Sequence, residues 1–357
     1  MEIRQFSWTK VTFCSLFLLF IFDVSAQDSI KAKKIKVLPV PAFGYSPETK
    51  TYLGAVCLFN LNLYDDTLTR SSNAKIEFNY TWLKQIIAET EWNYFFKEEN
   101  WFTSGLLHFS KYPDRYYGIG ADRREEDQVW FQSNRFKIDL NGLRRVQNKW
   151  FAGLELRYLN YFNFEQDSVV YSELASENRS GLGLVVVNDS RDHILTPTKG
   201  SFLRVTNNYN FGRTTYSQLI VDARKYYGWG KKMKQVLSLR AFTKHIIGDA
   251  PFFDLALLGG DDLTRGYIYG RFRDNNLTTV QTEYRTSLFW RVGIAAFGGV
   301  TLTYPQFNSI QLNSIKPNAG LGIRFLVDKE EGTNLRFDYA IGQNGQSGFY
   351  ISFGESF

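Results

Sequence analysis

Residues 277–290 read LTTVQTEYRTSLFW, and this segment indicates the fold of the whole chain. Val280 and Tyr284 fall on one face of an extended strand, whereas Gln281 and Glu283 fall on the other. Strands of soluble sheets average only about 5–6 residues. Alternation over this greater length is typical of a transmembrane β-barrel, whose strands present apolar side chains to lipid and polar ones to the lumen.

The same alternation recurs along residues 36–357, which we predict to form one barrel domain. Sixteen candidate strands are found, and single-chain bacterial barrels have an even number of strands. Long links follow odd strands and short links mostly follow even ones, which predicts an N-terminus in the periplasm and long outer loops. The fold prediction is all-β, a 16-stranded antiparallel transmembrane barrel. The predicted strands are 36–45, 51–62, 71–82, 84–97, 100–112, 129–143, 148–162, 178–191, 199–211, 214–229, 232–247, 276–290, 292–303, 316–328, 333–343 and 347–357.

The composition excludes several classes of protein and of functional site. The 357 residues are 17% aromatic, and the mean hydropathy of −0.29 excludes a helical membrane protein. Cys57 is the one cysteine outside the N-terminal apolar run, and the three histidines show no ligand spacing, so we predict no disulfide, no metal and no cofactor. A net charge of +6 could suit nucleic acid, but for an exported chain outer-membrane lipid is the better match.

The N-terminus predicts export. Residues 1–26 combine a positively charged start, an apolar run over 11–22 and a small-residue cleavage site, which is typical of a secretory signal peptide. The apolar run is too short for a transmembrane helix, which needs about 20 residues. Residues 27–35 are predicted to be a short periplasmic leader, and its lysines could serve as a docking site or simply be solvated. The predicted location is the bacterial outer membrane.

Two segments carry a family resemblance. Residues 188–200 read NDSRDHILTPTKG, and residues 258–267 read LGGDDLTRGY, followed by Glu283-Tyr284-Arg285. Together they resemble the BamA/TamA superfamily, the bacterial surface-antigen barrels that assemble or translocate proteins at outer membranes. The resemblance covers 178–357 by motif and the earlier strands by pattern.

The resemblance implies that the loop at 248–275 folds into the barrel lumen. In that family the loop arginine contacts acids on the inner wall, which here identifies Arg265 with Glu283 as its counter-charge. A second acid usually lies in a Phe-x-Asp-x-Gly stretch on the following strand, but residues 297–301 read FGGVT and lack it, so weaker anchoring is expected. The predicted loop motif comprises Gly259, Gly260, Arg265, Gly266 and Tyr267.

The resemblance also implies a protein partner. Members that insert or secrete proteins carry periplasmic polypeptide-transport-associated domains, whereas only residues 27–35 separate the predicted signal from the first strand. We therefore expect a barrel-only member that works with a separate protein partner or client in the periplasm or outer membrane. The alternative is a passive pore or a structural or adhesion scaffold, because a 16-stranded ring can enclose an aqueous channel unless something fills it.

The first strand predicts a weak closing seam. Pro39 and Pro41 lack N–H groups, and residues two apart direct these groups toward the same neighbour. We expect the loss to weaken the contact with the last strand, 347–357, where Gly348 and Gly354 add slack.

The C-terminus is predicted to complete that seam. Phe349, Ile351, Phe353 and Phe357 alternate as an outward face, and a terminal aromatic residue resembles the assembly signal of outer-membrane barrels. Glu355 interrupts this pattern and is expected near the periplasmic rim.

One three-residue pattern suggests that the chain could be an enzyme. His108 and Ser110 have the His-x-Ser spacing of an outer-membrane phospholipase. They are predicted to face the lumen, because Trp101 and Leu107 mark the opposite face as the one directed to lipid. We therefore favour a structural histidine and predict that the chain is not an enzyme.

Overall fold

The structure, a computed structural model, describes residues 35–64, 69–166, 173–194, 196–230, 234–327, 332 and 334–357. The predicted signal peptide (1–26) and the predicted leader, apart from Ile35, lie outside the described residues. No helix in the described part of the chain is long and apolar enough to cross a membrane.

Sixteen antiparallel strands close into a barrel, which confirms the predicted fold class. Each predicted strand is present, and neighbours along the chain pair with one another except where the loop between β11 and β14 intervenes. That loop contributes two short strands, β12 and β13, which form a separate small sheet. The strands are β1 Ile35–Ser46, β2 Lys50–Leu61, β3 Ser72–Thr81, β4 Ile86–Phe95, β5 Trp101–Tyr116, β6 Val129–Gln147, β7 Trp150–Gln166, β8 Glu177–Asp189, β9 Gly200–Gly212, β10 Tyr216–Trp229, β11 Gln235–Gly248, β12 Ala256–Leu257, β13 Arg273–Asp274, β14 Asn276–Phe289, β15 Val292–Tyr304, β16 Ile315–Leu326, β17 Asn334–Gly342 and β18 Ser347–Phe353; single 3-10 turns lie at Lys97–Glu99, Phe307–Ser309, Leu312–Ser314 and Gln343–Gly345.

The two faces of the strands have the polarity of a membrane barrel. On β14, Val280 is 62% exposed on the outer face, whereas Gln281 and Glu283 are buried inside. Apolar side chains outside and polar ones inside are the reverse of a soluble sheet and fit a wall that faces lipid. We call the end where β1 begins and β18 ends the terminal end, and the opposite end the loop end.

The residues between β11 and β14, 249–275, enter the lumen and are called the luminal loop. Ala256 of β12 pairs with Asp274 of β13, so the loop leaves and rejoins the wall as a closed hairpin. Its turn packs Leu258, Tyr267 and Phe272 together, all buried. The loop thus has an apolar core of its own inside the barrel.

The last strand is shorter than predicted. It ends at Phe353. Gly354 N still donates to Asn334 O of β17, and residues 355–357 then turn into the lumen instead of continuing the wall. Phe357 is 4% exposed, so its predicted outward orientation and its place in the seam are wrong. Gly354 has a φ of +81° and lies beyond the strand, so it is also outside the seam.

Charge pairing explains why the tail turns inward. Glu355 lies at the terminal end, where it accepts from Asn334, the first residue of β17, but its side chain points into the lumen and lies 2.8 Å from Arg324. Ser356 donates to the backbone carbonyls of Asp261 and Asp262 in the luminal loop. A buried carboxylate is stable only beside a cation, and here that cation lies in the lumen.

The seam between β1 and β18 consists of one paired position, Tyr45↔Ile351. By contrast, β1 pairs with β2 without interruption from Ile35↔Leu61 to Ser46↔Lys50. Gly348 remains in β18, opposite Ala340 of β17, with its Cα facing the lumen.

The prolines of β1 direct their nitrogens toward the seam. Trp82 N donates to Thr51 O, so odd-numbered residues of β2 bond to β3 and even-numbered ones bond to β1. In the β1–β2 register, even-numbered residues of β1 lie opposite even-numbered residues of β2. Pro39 and Pro41 are odd-numbered, and their missing donors therefore belong to the side of β18.

Candidate functional site: the luminal loop anchor

Arg265 lies inside the lumen against strands β14, β15 and β17 and is only 3% exposed. Its Nη2 donates to Glu283 Oε2 at 2.6 Å, and its Nη1 donates to Asp338 Oδ2. The guanidinium also lies 3.3 Å from the ring centroid of Phe297. A planar guanidinium can bind two carboxylates at once through separate N–H groups, which lysine cannot do in the same geometry.

The ion pairs of Arg265, which we call the anchor, belong to a larger network in which arginines and acids balance in charge. Arg324 lies 2.5 Å from Asp338 and 2.8 Å from Glu355. Arg336 lies 3.0 Å from Asp261, a residue of the luminal loop. Four cations thus meet four anions, which makes burial of so many ions tolerable. The network comprises Arg265, Arg285, Arg324 and Arg336 with Asp261, Glu283, Asp338 and Glu355.

The second acid that contacts Arg265 lies on β17, and not on β15 where the family resemblance implied it. The expected position on β15 is Gly299, whose added Cβ would lie 2.8 Å from the carbonyl oxygen of Val280. Asp338 supplies the missing carboxylate from β17, two strands farther around the barrel. The prediction of weaker anchoring assumed that Arg265 has a single carboxylate partner. That assumption is wrong, because Arg265 has two. Asp338 lies on the inward face of β17, but nothing in the sequence linked it to Arg265.

The residues beside Arg265 position its backbone against the last strands. Gly266 has a φ of +101°, and a Cβ there would lie 2.9 Å from the backbone of Ile341, so glycine is required. Gly266 N donates to the hydroxyl of Tyr350 at 2.9 Å. Tyr267 donates to Pro317 O at 2.6 Å and accepts from Gln343 N at 2.8 Å, while the Asn318 side chain donates to Arg265 O at 2.9 Å.

The paired glycines shape the turn of the loop. Gly259 has a φ of +110°, and its Cβ would meet the backbone of Ile268 at 2.7 Å. Gly260 N donates to Tyr267 O across the turn. These positions bring the two arms of the loop into contact and present Arg265 between them.

A second anchor holds the loop nearer the loop end. Asp254 lies 3.0 Å from Arg157 on β7 and accepts from the hydroxyl of Tyr216 on β10. Its neighbour Phe253 stacks on Tyr161 with ring centroids 4.0 Å apart. Sequence analysis did not find this anchor, because an isolated Asp in a long loop carries no local signal of its partner.

The luminal loop contacts both sides of the seam. Tyr269 N donates to the carboxylate of Glu48, in the turn between β1 and β2, at 2.6 Å. On the other side, Gly266 N donates to Tyr350 of β18. The loop therefore bridges the two strands that are joined to each other by a single paired position.

The other family-like segment forms the turn between β8 and β9. Asp192 accepts hydrogen bonds from the backbone N–H groups of His193, Thr198 and Lys199. Burial opposes ionisation of this carboxyl, but the bonds from Thr198 and its neighbours outweigh it and lower the pKa of Asp192. Arg285 on β14 donates to Pro197 O at 3.0 Å, so the turn reaches across the terminal end of the lumen.

His108 belongs to a hydrogen-bonded chain on the luminal wall. Its Nδ1 lies 3.0 Å from Glu89 Oε2 and its Nε2 lies 3.1 Å from Ser110 Oγ. The strand geometry thus lets His108 reach Ser110 directly. Ser110 is fully buried, however. Among the described residues, no group of His, Cys, Asp and Glu is arranged to hold a metal ion.

Comparison with known proteins matches this barrel. A family model described as the Omp85 superfamily domain matches residues 59–357. Among solved structures, the chain is similar to BamA from Haemophilus ducreyi lacking POTRA domains 1–3, with 10% sequence identity and a TM-score of 0.58, over 91% of this chain and 70% of that one. It is also similar to CdiB from Acinetobacter baumannii, with 14% identity and a TM-score of 0.60, over 91% of this chain and 60% of that one. At these identities the likeness shows the fold. No curated protein sequence matches the chain.

Proposed function

The chain belongs to the Omp85 superfamily, and on this premise we propose that it serves the assembly or translocation of proteins in the bacterial outer membrane. In this placement the terminal end faces the periplasm and the loop end faces outward. The observation that carries the proposal is the luminal loop, which is held inside the barrel by Arg265 with two buried carboxylates. Buried ion pairs of this kind fix the luminal loop in one position, which supports a role for the loop in the function of the barrel.

The same observation argues against a passive pore. The loop fills part of the lumen, and two cavities of about 720 Å³ each border it. Both cavities are lined by Asp261 of the loop and by Tyr52 and Arg204 of the wall. We expect small, flickering single-channel currents in planar bilayers. Large steady currents would favour the pore instead.

A separate protein partner or client is part of the proposal. Purification from outer membranes in a gentle detergent, followed by mass spectrometry, tests it. The expected result is a stoichiometric periplasmic or outer-membrane protein. Recovery of the barrel alone under several detergents would argue for a structural scaffold.

We also propose that the seam opens laterally toward the bilayer, because one paired position closes it. Pro39→Val with Pro41→Val restores two donors on the side of β18, opposite positions 357 and 355 in the register Tyr45↔Ile351. This should draw the tail out of the lumen and extend the pairing of the strands. In a Cys57→Ser background, disulfide formation between Phe43→Cys and Phe353→Cys is expected to rise when the prolines are replaced. A cysteine pair at Leu335 and Phe353, which face each other in β17 and β18, provides the control. An unchanged yield at the seam would contradict the idea.

No hydrolytic role is proposed for the His108 chain. A serine nucleophile must reach the substrate carbonyl, and Ser110 has no accessible surface. Ser110→Ala is expected to leave phospholipase activity at the background level of the wild-type protein. Measurable lipid hydrolysis that disappears in Ser110→Ala would establish an enzyme.

A further inference from the structure

The wall of the barrel has a gap beside β1 at the terminal end. The register Tyr45↔Ile351 places Phe353, the last residue of β18, opposite Phe43. In the described part of the chain, the six residues from Val37 to Ala42 therefore have no residue of β18 beside them. At about 3.3 Å per residue, this is roughly 20 Å of strand edge.

The side of the lumen formed by β1 and β2 beside this gap is apolar, whereas Lys36 and the other walls of the same cavity, with Arg70 and Arg336 among them, are charged. Leu38, Val40 and Ala42 of β1 face inward, and Val56 and Leu58 of β2 face inward next to them. All five border a cavity of about 720 Å³ that lies on the terminal side of the luminal loop. Luminal positions of membrane barrels are normally polar. The volume falls within the range of about 300–1,000 Å³ that ligand pockets occupy.

The outer face of the same segment is apolar as well. Ile35 and Val37 are 53% and 50% exposed on the side that faces lipid. From position 37 to position 42 the edge of β1 therefore carries apolar side chains both toward the bilayer and toward the cavity. Hydrocarbon crossing it would exchange one apolar surface for another at little cost.

The edge itself is poorly suited to binding a polypeptide strand. Strand addition depends on main-chain hydrogen bonds along an exposed edge. Of the residues that direct their backbone groups into the gap, Pro39 and Pro41 have no N–H to donate. The chain's own tail does not fill the gap either, because Glu355 and Ser356 are bonded inside the lumen.

We propose that the cavity on the terminal side of the luminal loop binds the acyl chain of a phospholipid from the periplasmic leaflet, which enters through the gap beside β1. The apolar residues of β1 and β2 contact the hydrocarbon, and the polar headgroup stays at the membrane surface. This lipid site is distinct from the bulk lipid around the barrel, since its wall lies inside the ring of strands.

Photocrosslinking tests the site. The photoreactive amino acid p-benzoylphenylalanine is placed at Leu58, and the protein is reconstituted in nanodiscs of phosphatidylethanolamine and phosphatidylglycerol that carry a clickable acyl chain. Two further positions serve as references: Leu184, which is 67% exposed on the outer face, and Ile220, an apolar residue that borders the other cavity. We expect lipid adducts at positions 58 and 184 and few at 220.

Matched substitutions on the two faces of β1 then separate luminal from outer contacts. Val40→Asn should lower the adduct yield at position 58 about tenfold, because it removes apolar contact inside the cavity. Val37→Asn, on the outer face of the same strand, should leave that yield unchanged. Heat-modified gel mobility verifies that each variant is folded.

Three outcomes would overturn the proposal. Absence of adducts at position 58 while 184 is labelled would show that lipid does not enter. Equal labelling at 58 and 220 would show unspecific penetration of the lumen. Crosslinking at 58 to polypeptide in intact outer membranes, with no lipid adduct, would identify a protein occupant instead.

Discussion

Arg265→Ala is expected to release the luminal loop from the barrel wall. The substitution removes a buried cation that pairs with Glu283 at 2.6 Å and with Asp338. Breaking such a buried pair costs about 3–5 kcal/mol. The temperature at which the barrel unfolds on gels should therefore fall, proteolysis within the loop should rise, and single-channel conductance should increase.

Arg213→Ala is the matched control. Arg213 pairs with Glu177 at 3.3 Å, but its side chain is 71% exposed. Exposed pairs contribute only about 0–1 kcal/mol, so this variant should behave like wild type. Arg265→Lys should fall between them, because an ammonium group cannot reproduce the fork of a guanidinium. If Arg265→Ala matches wild type in conductance and proteolysis, the proposed plug is wrong.

Asp338→Asn is expected to destabilise the barrel at least as much as Glu283→Gln. Asp338 lies within 3.5 Å of three arginines, namely Arg265, Arg324 and Arg336, and is fully buried. The near-isosteric change removes the charge and leaves these cations with too few anions, a loss on the order of 3–5 kcal/mol. Thermal unfolding of the two variants, measured side by side, checks the order.

Three further variants test this explanation. Asp262→Asn is the control, because Asp262 pairs with Arg240 but is 57% exposed. Combining Arg265→Ala with Asp338→Asn should cost less than the sum of the single changes, since both remove the same contact. Gly299→Asp should not rescue Asp338→Asn, because the Cβ would lie 2.8 Å from the carbonyl oxygen of Val280. Full additivity of the double variant would show that Asp338 does not act through Arg265.

The strand count was predictable because each strand carries its own signal. Alternation such as that of Val280 and Glu283 depends on residues two apart, which always share a face. Long outer links and short periplasmic turns are equally local features. The same rule placed His108 on the luminal face. It could not show that Ser110 has no accessible surface, because burial depends on strands far away in the chain.

Ion pairs between side chains that lie far apart in the chain could not be predicted from local alternation. Arg265 and Glu283 were linked through the resemblance to a known family, whereas Asp338 lies 73 residues from Arg265 in the chain. The contact between Asp254 and Arg157 spans 97 residues and was likewise not foreseen. Only closure of the ring brings such side chains together.

The sequence by itself therefore determined the barrel, its strand number, the inward face of each strand and the missing donors of Pro39 and Pro41, because these follow from local alternation and covalent structure. The tertiary structure decided which carboxylates receive Arg265, where β18 ends and how far β18 pairs with β1. These outcomes depend on the competition between pairing along the wall and ion pairing in the lumen. Glu355 illustrates the result: its bond to Arg324 inside the barrel draws the tail away from the edge that the prolines had left without donors.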